Sequence, residues 1–334
     1  MVGQAGKQGT RIAANKTLKI DTKGSDPTVT KDCMKTFIKV TEIWIPGKDR
    51  TQLELASGAY GDLEEFKAAS EQTRFNYYEG VPGTAWALGH PVVVKEFTHS
   101  CFKRTEAAQK AGLTCAIGIP VFSGEFLMAV VVFLCGDDED HAGAIEVWGN
   151  EPEGSDGVGI IDGYYGTLDY FEFISRKTRI MKGFGLPGRV WEKGLPVIIA
   201  DLGESESFIR GRDAKNAGIT TALGIPLPDK AGFFYLMTFL SAKATPIVRQ
   251  LEIWLPDEKR KHLVFNEGFT TKKSNLAEVY AETSFARGEG GLGRVWLTGM
   301  PAIVEKYEVE GSTATLLMPV INQGILKAVI VFCL

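Results

Sequence analysis

Few residues in this chain of 334 stand where chemistry would need them. His99 and Cys101 have the spacing of half a metal site, but no second pair of ligand type completes it. The acidic run at 137–140 lacks the alternating ligands and the glycine of a calcium loop and reads as a solvated loop. Cys101 could offer a thiol, yet nothing near it in sequence supplies the positive charge that makes a reactive thiolate. G-x-x-G turns occur without the Lys-Ser/Thr that would make them phosphate cradles. No serine sits in a nucleophile elbow. These residues predict a protein that is not an enzyme and that holds no metal and no cofactor.

Composition narrows the partners. Apolar residues make up 44% and charged residues 23%, with a net charge of −4, so no overall basic field would attract nucleic acid. The longest apolar run, 126–135, has ten residues and is too short for a transmembrane helix. The cysteines (Cys33, Cys101, Cys115, Cys135, Cys333) are odd in number and unpaired between repeats, which predicts free, buried thiols in a reducing, intracellular setting. The first twenty residues carry Lys7, Arg11, Lys16 and Lys19 and no acid, and they lack an apolar signal core. Residues 1–30 therefore read as a basic flexible arm suited to an acidic partner, or as the remnant of an organelle-targeted precursor.

The elements that would position any site come in three copies. All six tryptophans fall into two columns: Trp44, Trp148 and Trp254, spaced by 104 and 106, and Trp86, Trp191 and Trp296, spaced by 105 and 105. A G-x-x-G motif recurs at Gly80 and Gly83, Gly185 and Gly188, Gly290 and Gly293. A G-x-P motif recurs at Pro91, Pro196 and Pro301, each followed by a β-rich triplet. Its middle residue is His90, Leu195 or Met300, so His90 reads as packing or surface. Pro120, Pro226 and Pro319, in I-P-V, I-P-L and M-P-V contexts, lead into long apolar strands. The boundaries follow as 31–140, 141–245 and 246–334.

Within one copy, 40–46 and 53–60 read as a hairpin and 62–75 as a helix. The glycine turn and second Trp follow, then a strand, a helix over 100–112 ended by Gly112, and strands at 115–122 and 126–135. The second copy repeats this, with a helix over 206–218.

This order of strands, helices and motifs resembles the GAF family over 40–135, 144–240 and 250–334. The resemblance implies an α+β fold of three tandem units, each an antiparallel sheet with helices, and a helix that lids a small-molecule pocket. Cys101, Phe102 and Phe208 would line what is left of such pockets; the second copy has Ser207 in place of Cys101. The cyclic-nucleotide motif of the family is absent, and Pro82 stands where its methionine-sulfoxide reductases carry a cysteine. Signalling members are flanked by long helices, but only ten residues separate Leu240 from Leu251, and a short acidic loop separates Cys135 from Ile145. The third copy is shortened. Its Pro301 to Pro319 spans 18 positions where the others span 29 and 30, which removes the lid helix.

Apolar strands without flanking helices need a cover, from a neighbouring copy or another chain. Leu334 ends such a strand without a polar cap, which reads as an open edge and predicts self-association into filaments, tubes or sheets. A triplicated, non-catalytic chain with a basic arm is also similar to the pyrenoid shell proteins of diatom chloroplasts. That resemblance implies a structural protein in the chloroplast stroma, assembled with itself around a CO2-fixing compartment. The competing expectation is a small-molecule sensor using the lidded pockets of copies one and two.

Overall fold

The computed structural model describes residues 36–136, 143–150, 157–203, 205, 208–228, 233–242, 246–272, 274–304 and 314–334. The first unit runs β1 (Ile38–Pro46), β2 (Gln52–Ala59), α1 (Glu64–Glu71), β3 (Arg74–Asn76), α2 (Gly80–Leu88), β4 (Val92–Val94), α3 (Thr105–Lys110), β5 (Cys115–Ser123) and β6 (Phe126–Cys135). The second repeats it as β7 (Gly143–Asn150), β8 (Gly157–Tyr164), α4 (Asp169–Arg176), β9 (Arg179–Met181), α5 (Gly185–Lys193), β10 (Val197–Ile199), α6 (Gly211–Asn216), β11 (Ile219–Pro226) and β12 (Tyr235–Ala242). The third has β13 (Gln250–Pro256), β14 (His262–Thr270), α7 (Leu276–Val279), β15 (Ser284–Ala286), α8 (Gly290–Thr298), β16 (Ala302–Val304), β17 (Thr315–Asn322) and β18 (Ile325–Cys333). Each unit is a six-stranded antiparallel sheet, ordered β3-β2-β1-β6-β5-β4 in the first and equivalently in the others. The architecture is α+β, and both tryptophan columns fall in equivalent elements: β1, β7 and β13, and α2, α5 and α8. Seven residues link β6 to β7 and seven link β12 to β13, too few for a long intervening helix.

The period of two along the apolar strands assigns their faces. In β6, Val130, Val132 and Leu134 turn to one core, while Ala129, Val131 and Phe133 turn to another. That second core is shared by all three sheets. Ile43, Val131 and Phe133 of the first meet Val147, Met237 and Phe239 of the second and Ile253, Ile330 and Phe332 of the third. At its centre Phe133, Phe239 and Phe332 form a triangle of ring contacts at 5.9, 6.0 and 5.7 Å. Around the outside, β4 lies beside β8, β10 beside β14 and β16 beside β2, so the ring of sheets closes. Met34–Leu334 is consequently one compact unit.

The closure corrects the expectation of an open edge. β18 is an inner strand, paired with β13 on one side and β17 on the other, and the Leu334 N–H is bonded to the Ala314 carbonyl. The edges are three-residue strands such as β3 and β4, short enough to offer little template for pairing. The cover for the helix-free faces is the other two copies. The two I-P motifs and the M-P motif of the third unit meet where Pro120, Pro226 and Pro319 line a void of about 10 Å³. Pro120 lies past the end of the β4 pairing, which stops at Gly118, and its ladder partner is Val130 of β6 alone.

Two elements differ from the sequence reading. The helix expected over 62–75 is Glu64–Glu71, because Phe75 belongs to β3 and pairs with Leu53. The helices expected over 100–112 and 206–218 are confined to Thr105–Lys110 and Gly211–Asn216. The G-x-x-G motif opens a helix rather than forming an isolated turn. A Cβ on Gly83, Gly188 or Gly293 would sit 2.0–2.1 Å from the carbonyl oxygen of Asn76, Met181 or Ala286, so the close approach of helix and strand admits only glycine. The expected basic arm and the shortened loop of the third unit at 305–313 lie outside the described residues.

Because the sheets share one core, unfolding of the protein should be a single cooperative transition, followed by calorimetry. Gly188→Ala should lower stability by more than the roughly 1 kcal/mol expected for Gly218→Ala, where φ is positive but no atom lies within 4 Å. Three separable transitions, or equal effects of the two substitutions, would contradict this packing.

Candidate functional site

The face of each sheet turned away from the shared core carries a buried carboxylate. Glu42 and Trp44 stand two apart on β1, so both side chains rise on one face; Glu146 and Trp148 repeat this on β7, and Glu252 and Trp254 on β13. A β-bulge interrupts the register with the second strand just before the tryptophan in all three units. All three glutamates are fully buried.

In the first unit Arg104, on the strap leading into α3, meets Glu42 with both terminal nitrogens, Nη2 at 2.9 Å from Oε2. Trp44 Nε1 donates to Oε2 at 2.9 Å and the Tyr60 hydroxyl to Oε1 at 3.1 Å. The guanidinium lies against four rings, with Phe66 at 4.7 Å, Trp44 at 5.4 Å, Phe102 at 5.5 Å and Phe75 at 5.8 Å. The second unit has the same arrangement. Arg210 pairs with Glu146, which also accepts from Trp148, Tyr165 and Thr238, and Trp148, Phe171 and Phe208 surround the guanidinium at 5.0–5.3 Å.

A buried carboxylate is costly unless fully paired. Burial alone would push the Glu42 and Glu146 carboxyls up, but the charge and hydrogen bonds of Arg104 and Arg210 outweigh it and hold both below the ordinary value. Burial, and then the neighbouring carboxylate, push the Tyr60 and Tyr165 hydroxyls up, so both stay protonated donors. With both oxygens of each glutamate occupied, neither is placed to move a proton to or from a substrate. The cluster works as a clamp that ties the lid strap to the sheet.

The third unit solves the same problem without that arginine. The sequence between Pro301 and Pro319 has Lys306 as its one cation and no arginine; Lys306 lies outside the described residues. Tyr280 stands where Ser70 and Ser175 stand in the other units, and its hydroxyl donates to Glu252 at 2.8 Å. Gln250 and Trp254 add donors at 2.6 and 2.7 Å. Trp254, Phe265, Tyr280 and Phe285 pack ring against ring in the space beside them.

Of the residues singled out in the sequence, Phe102 and Phe208 are buried and stack over the two arginines. The pocket they were expected to line is filled by the protein's own guanidinium. Cys101 is exposed, while Cys115, Cys135 and Cys333 are buried. Burial pushes the Cys333 thiol up to about 12. His90 stacks on Tyr235 at 5.1 Å. Gly89, Gly194 and Gly299 end their helices in the left-handed region ahead of Pro91, Pro196 and Pro301. Trp86 packs edge-on to Tyr77, Trp191 stacks on Phe234, and Trp296 is buried. An open cleft of about 380 Å³ lies in the third unit between β14 and α7, lined in part by Phe265, whose ring packs on Trp254 and Tyr280. Among the described residues no group of three or more His, Cys, Asp and Glu could hold a metal, and no helix is long and apolar enough to cross a membrane.

The clamp itself was missed, although an acid stands two residues before the first tryptophan of every copy. Its partners are 62 and 64 residues further on, in a segment whose length changes between copies.

No protein-family model and no curated protein matches the chain. Solved structures similar to it include the free methionine-R-sulfoxide reductase of Neisseria meningitidis in complex with its substrate (21% identity, TM-score 0.24, 29% of this chain and 52% of that one). The A. aeolicus nlh2 GAF domain in an inactive state is similar at 20% identity and TM-score 0.24, over 30% of this chain and 60% of that one. The GAF domain of an Acinetobacter phosphoenolpyruvate-protein phosphotransferase is similar at 16% identity and TM-score 0.23, over 29% and 54%. The chain thus spans little more than half the length of these structures, and the likeness is one of fold.

Arg104→Met should cost about 3–5 kcal/mol by leaving Glu42 buried and unpaired, and adding Glu42→Gln should restore a large part of the loss. Because the folded carboxyls sit below the ordinary value near 4.5, their stabilisation is complete above that pH and is lost as pH falls below it. Denaturant unfolding between pH 7 and 3 should accordingly be less pH-dependent in the double variant. A single Arg104→Met effect under about 1 kcal/mol would remove the clamp from the account.

Proposed function

We propose that this protein is a non-catalytic structural building block that self-assembles, through the outer surfaces of its three GAF-like units, into a sheet, tube or shell. The observation that carries the reading is that both faces of the sheets in the first two units are used up within the chain. One face packs on the other two sheets; the other is closed by a strap whose arginine fills the space beneath it. That leaves a rigid block whose unspent feature is its outside, where Tyr77, Tyr78, Phe126, Tyr170, Phe173 and Phe184 are each more than half exposed. The sensor reading draws no support from the first two units, since ring and guanidinium groups occupy the place a ligand would take. Reductase activity like that named for the Neisseria neighbour draws none either, since Pro82 and Pro187 stand inside the G-x-x-G motifs. A shell around a CO2-fixing compartment is the specific form of the proposal.

Size-exclusion chromatography with light scattering, followed by negative-stain microscopy, tests the reading. Concentration-dependent species well above the 36.4 kDa chain, with regular contacts in the images, are expected. A monomer persisting at high concentration would refute self-assembly, and a stoichiometric small metabolite retained by the pure protein would favour a sensor.

A further inference from the structure

The three units supply an internal comparison for every surface position, and the second stands apart. Phe184 and Ile209 are 65% and 56% exposed. Ile209 lies against the residue that follows Phe184, for a Cβ on Gly185 would lie 3.2 Å from the Ile209 side chain. In the first unit these two positions are Glu79 and Lys103, joined as an ion pair at 2.5 Å. The Glu79 carboxylate also accepts from the Asn76 N–H at 2.8 Å, and Glu289 of the third unit accepts from the Ala286 N–H in the same way. Phe184 gives up that hydrogen bond and exposes a ring instead, a choice with no return inside the unit.

The helix before it follows suit. Tyr170 and Phe173, one turn apart on α4, are 66% and 52% exposed, where the first unit has Glu65 and Ala68 and the third has Asn275 and Glu278. Charge changes with them. Over 166–185 the second unit carries Arg176, Lys177, Arg179 and Lys182 against Asp169 and Glu172. The equivalent stretch of the first unit, 61–80, carries Asp62, Glu64, Glu65, Glu71 and Glu79 against Lys67 and Arg74. The first unit also exposes Tyr77 and Tyr78 there, rings over which cations pack well.

Building on the self-assembly reading, we propose that the outer layer of the second unit, centred on Phe184, Ile209, Tyr170 and Phe173, docks on the acidic outer layer of the first unit of another copy of this chain. Pairing the second unit's face with itself would oppose its four cations, so the complementary contact is heterologous. A heterologous contact between different surfaces of identical chains passes from copy to copy, into a ring where its rotation closes and into an open-ended assembly where it does not.

Two variants test it. Phe184→Glu with Ile209→Lys gives the second unit the ion pair that the first already folds with; Glu64→Lys with Glu65→Lys reverses the acceptor face. Each variant should keep the wild-type circular dichroism and melting temperature and sediment as a monomer, self-association weakened at least about a hundredfold. Mixed in equal amounts, the two should form a dimer and nothing larger, because each retains one intact face. If the first pair of substitutions impairs folding, Tyr170→Glu with Phe173→Ala reads the same face. Assembly of either variant as the wild type assembles would overturn this docking while leaving self-assembly standing, as would two monomeric variants that fail to pair. A wild type that remains a monomer would overturn both.

Discussion

The structure depends on the burial of three inner sheet faces against one another around Phe133, Phe239 and Phe332. At about 25 cal/mol per Å² of apolar surface, a single sheet with that face wet would lose several kcal/mol, comparable with the whole stability of a small domain. Each copy therefore depends on the other two. The connections between copies can be short because they only step from one side of a closed ring to the next. The inter-unit polar contacts, such as Lys95 to Glu172 at 3.1 Å and the Ile198 N–H to Glu267 at 3.2 Å, sit at the rim and fix register more than they add stability.

With the inner faces committed, the outer faces determine what each unit can still do. In the first two, an arginine brought in by the strap neutralises the buried glutamate and fills the space between strap and sheet. The third keeps the glutamate and tryptophan and satisfies the carboxylate with Tyr280 and Gln250 instead. The same buried glutamate survives with two sets of partners, which ties it to the architecture shared by the copies. A block whose inner faces are spent meets partners through its surface, and the proposed self-assembly builds on that packing.

Much of this was legible in the residues. Tryptophan columns and glycine and proline motifs gave the repeat, its step and the strand order. The continuous apolar runs at 126–135, 234–240 and 325–334 required cover on both faces. What covered them was not legible, because alternation along a strand says that a face is buried and not which chain segment buries it. The open edge inferred at Leu334 failed for that reason: strand order within a sheet is set by long-range pairing, and the last strand in sequence lies in the middle of its sheet. The first helix was drawn too long because Phe75 fits the helical period as well as it fits the alternation of β3. The glutamate–arginine clamp escaped because its halves are local to different elements and meet only once the strap folds over the sheet.

Hydrogen–deuterium exchange under native conditions, resolved to β6, β12 and β18, tests the closed core most directly. The account predicts that the amides of these three strands exchange last, at one common rate set by global unfolding, with the C-terminal strand as protected as the other two. Exchange of β18 at the rate of an exposed edge, or three distinct protection levels for the three strands, would contradict a shared core and return the copies to independent domains.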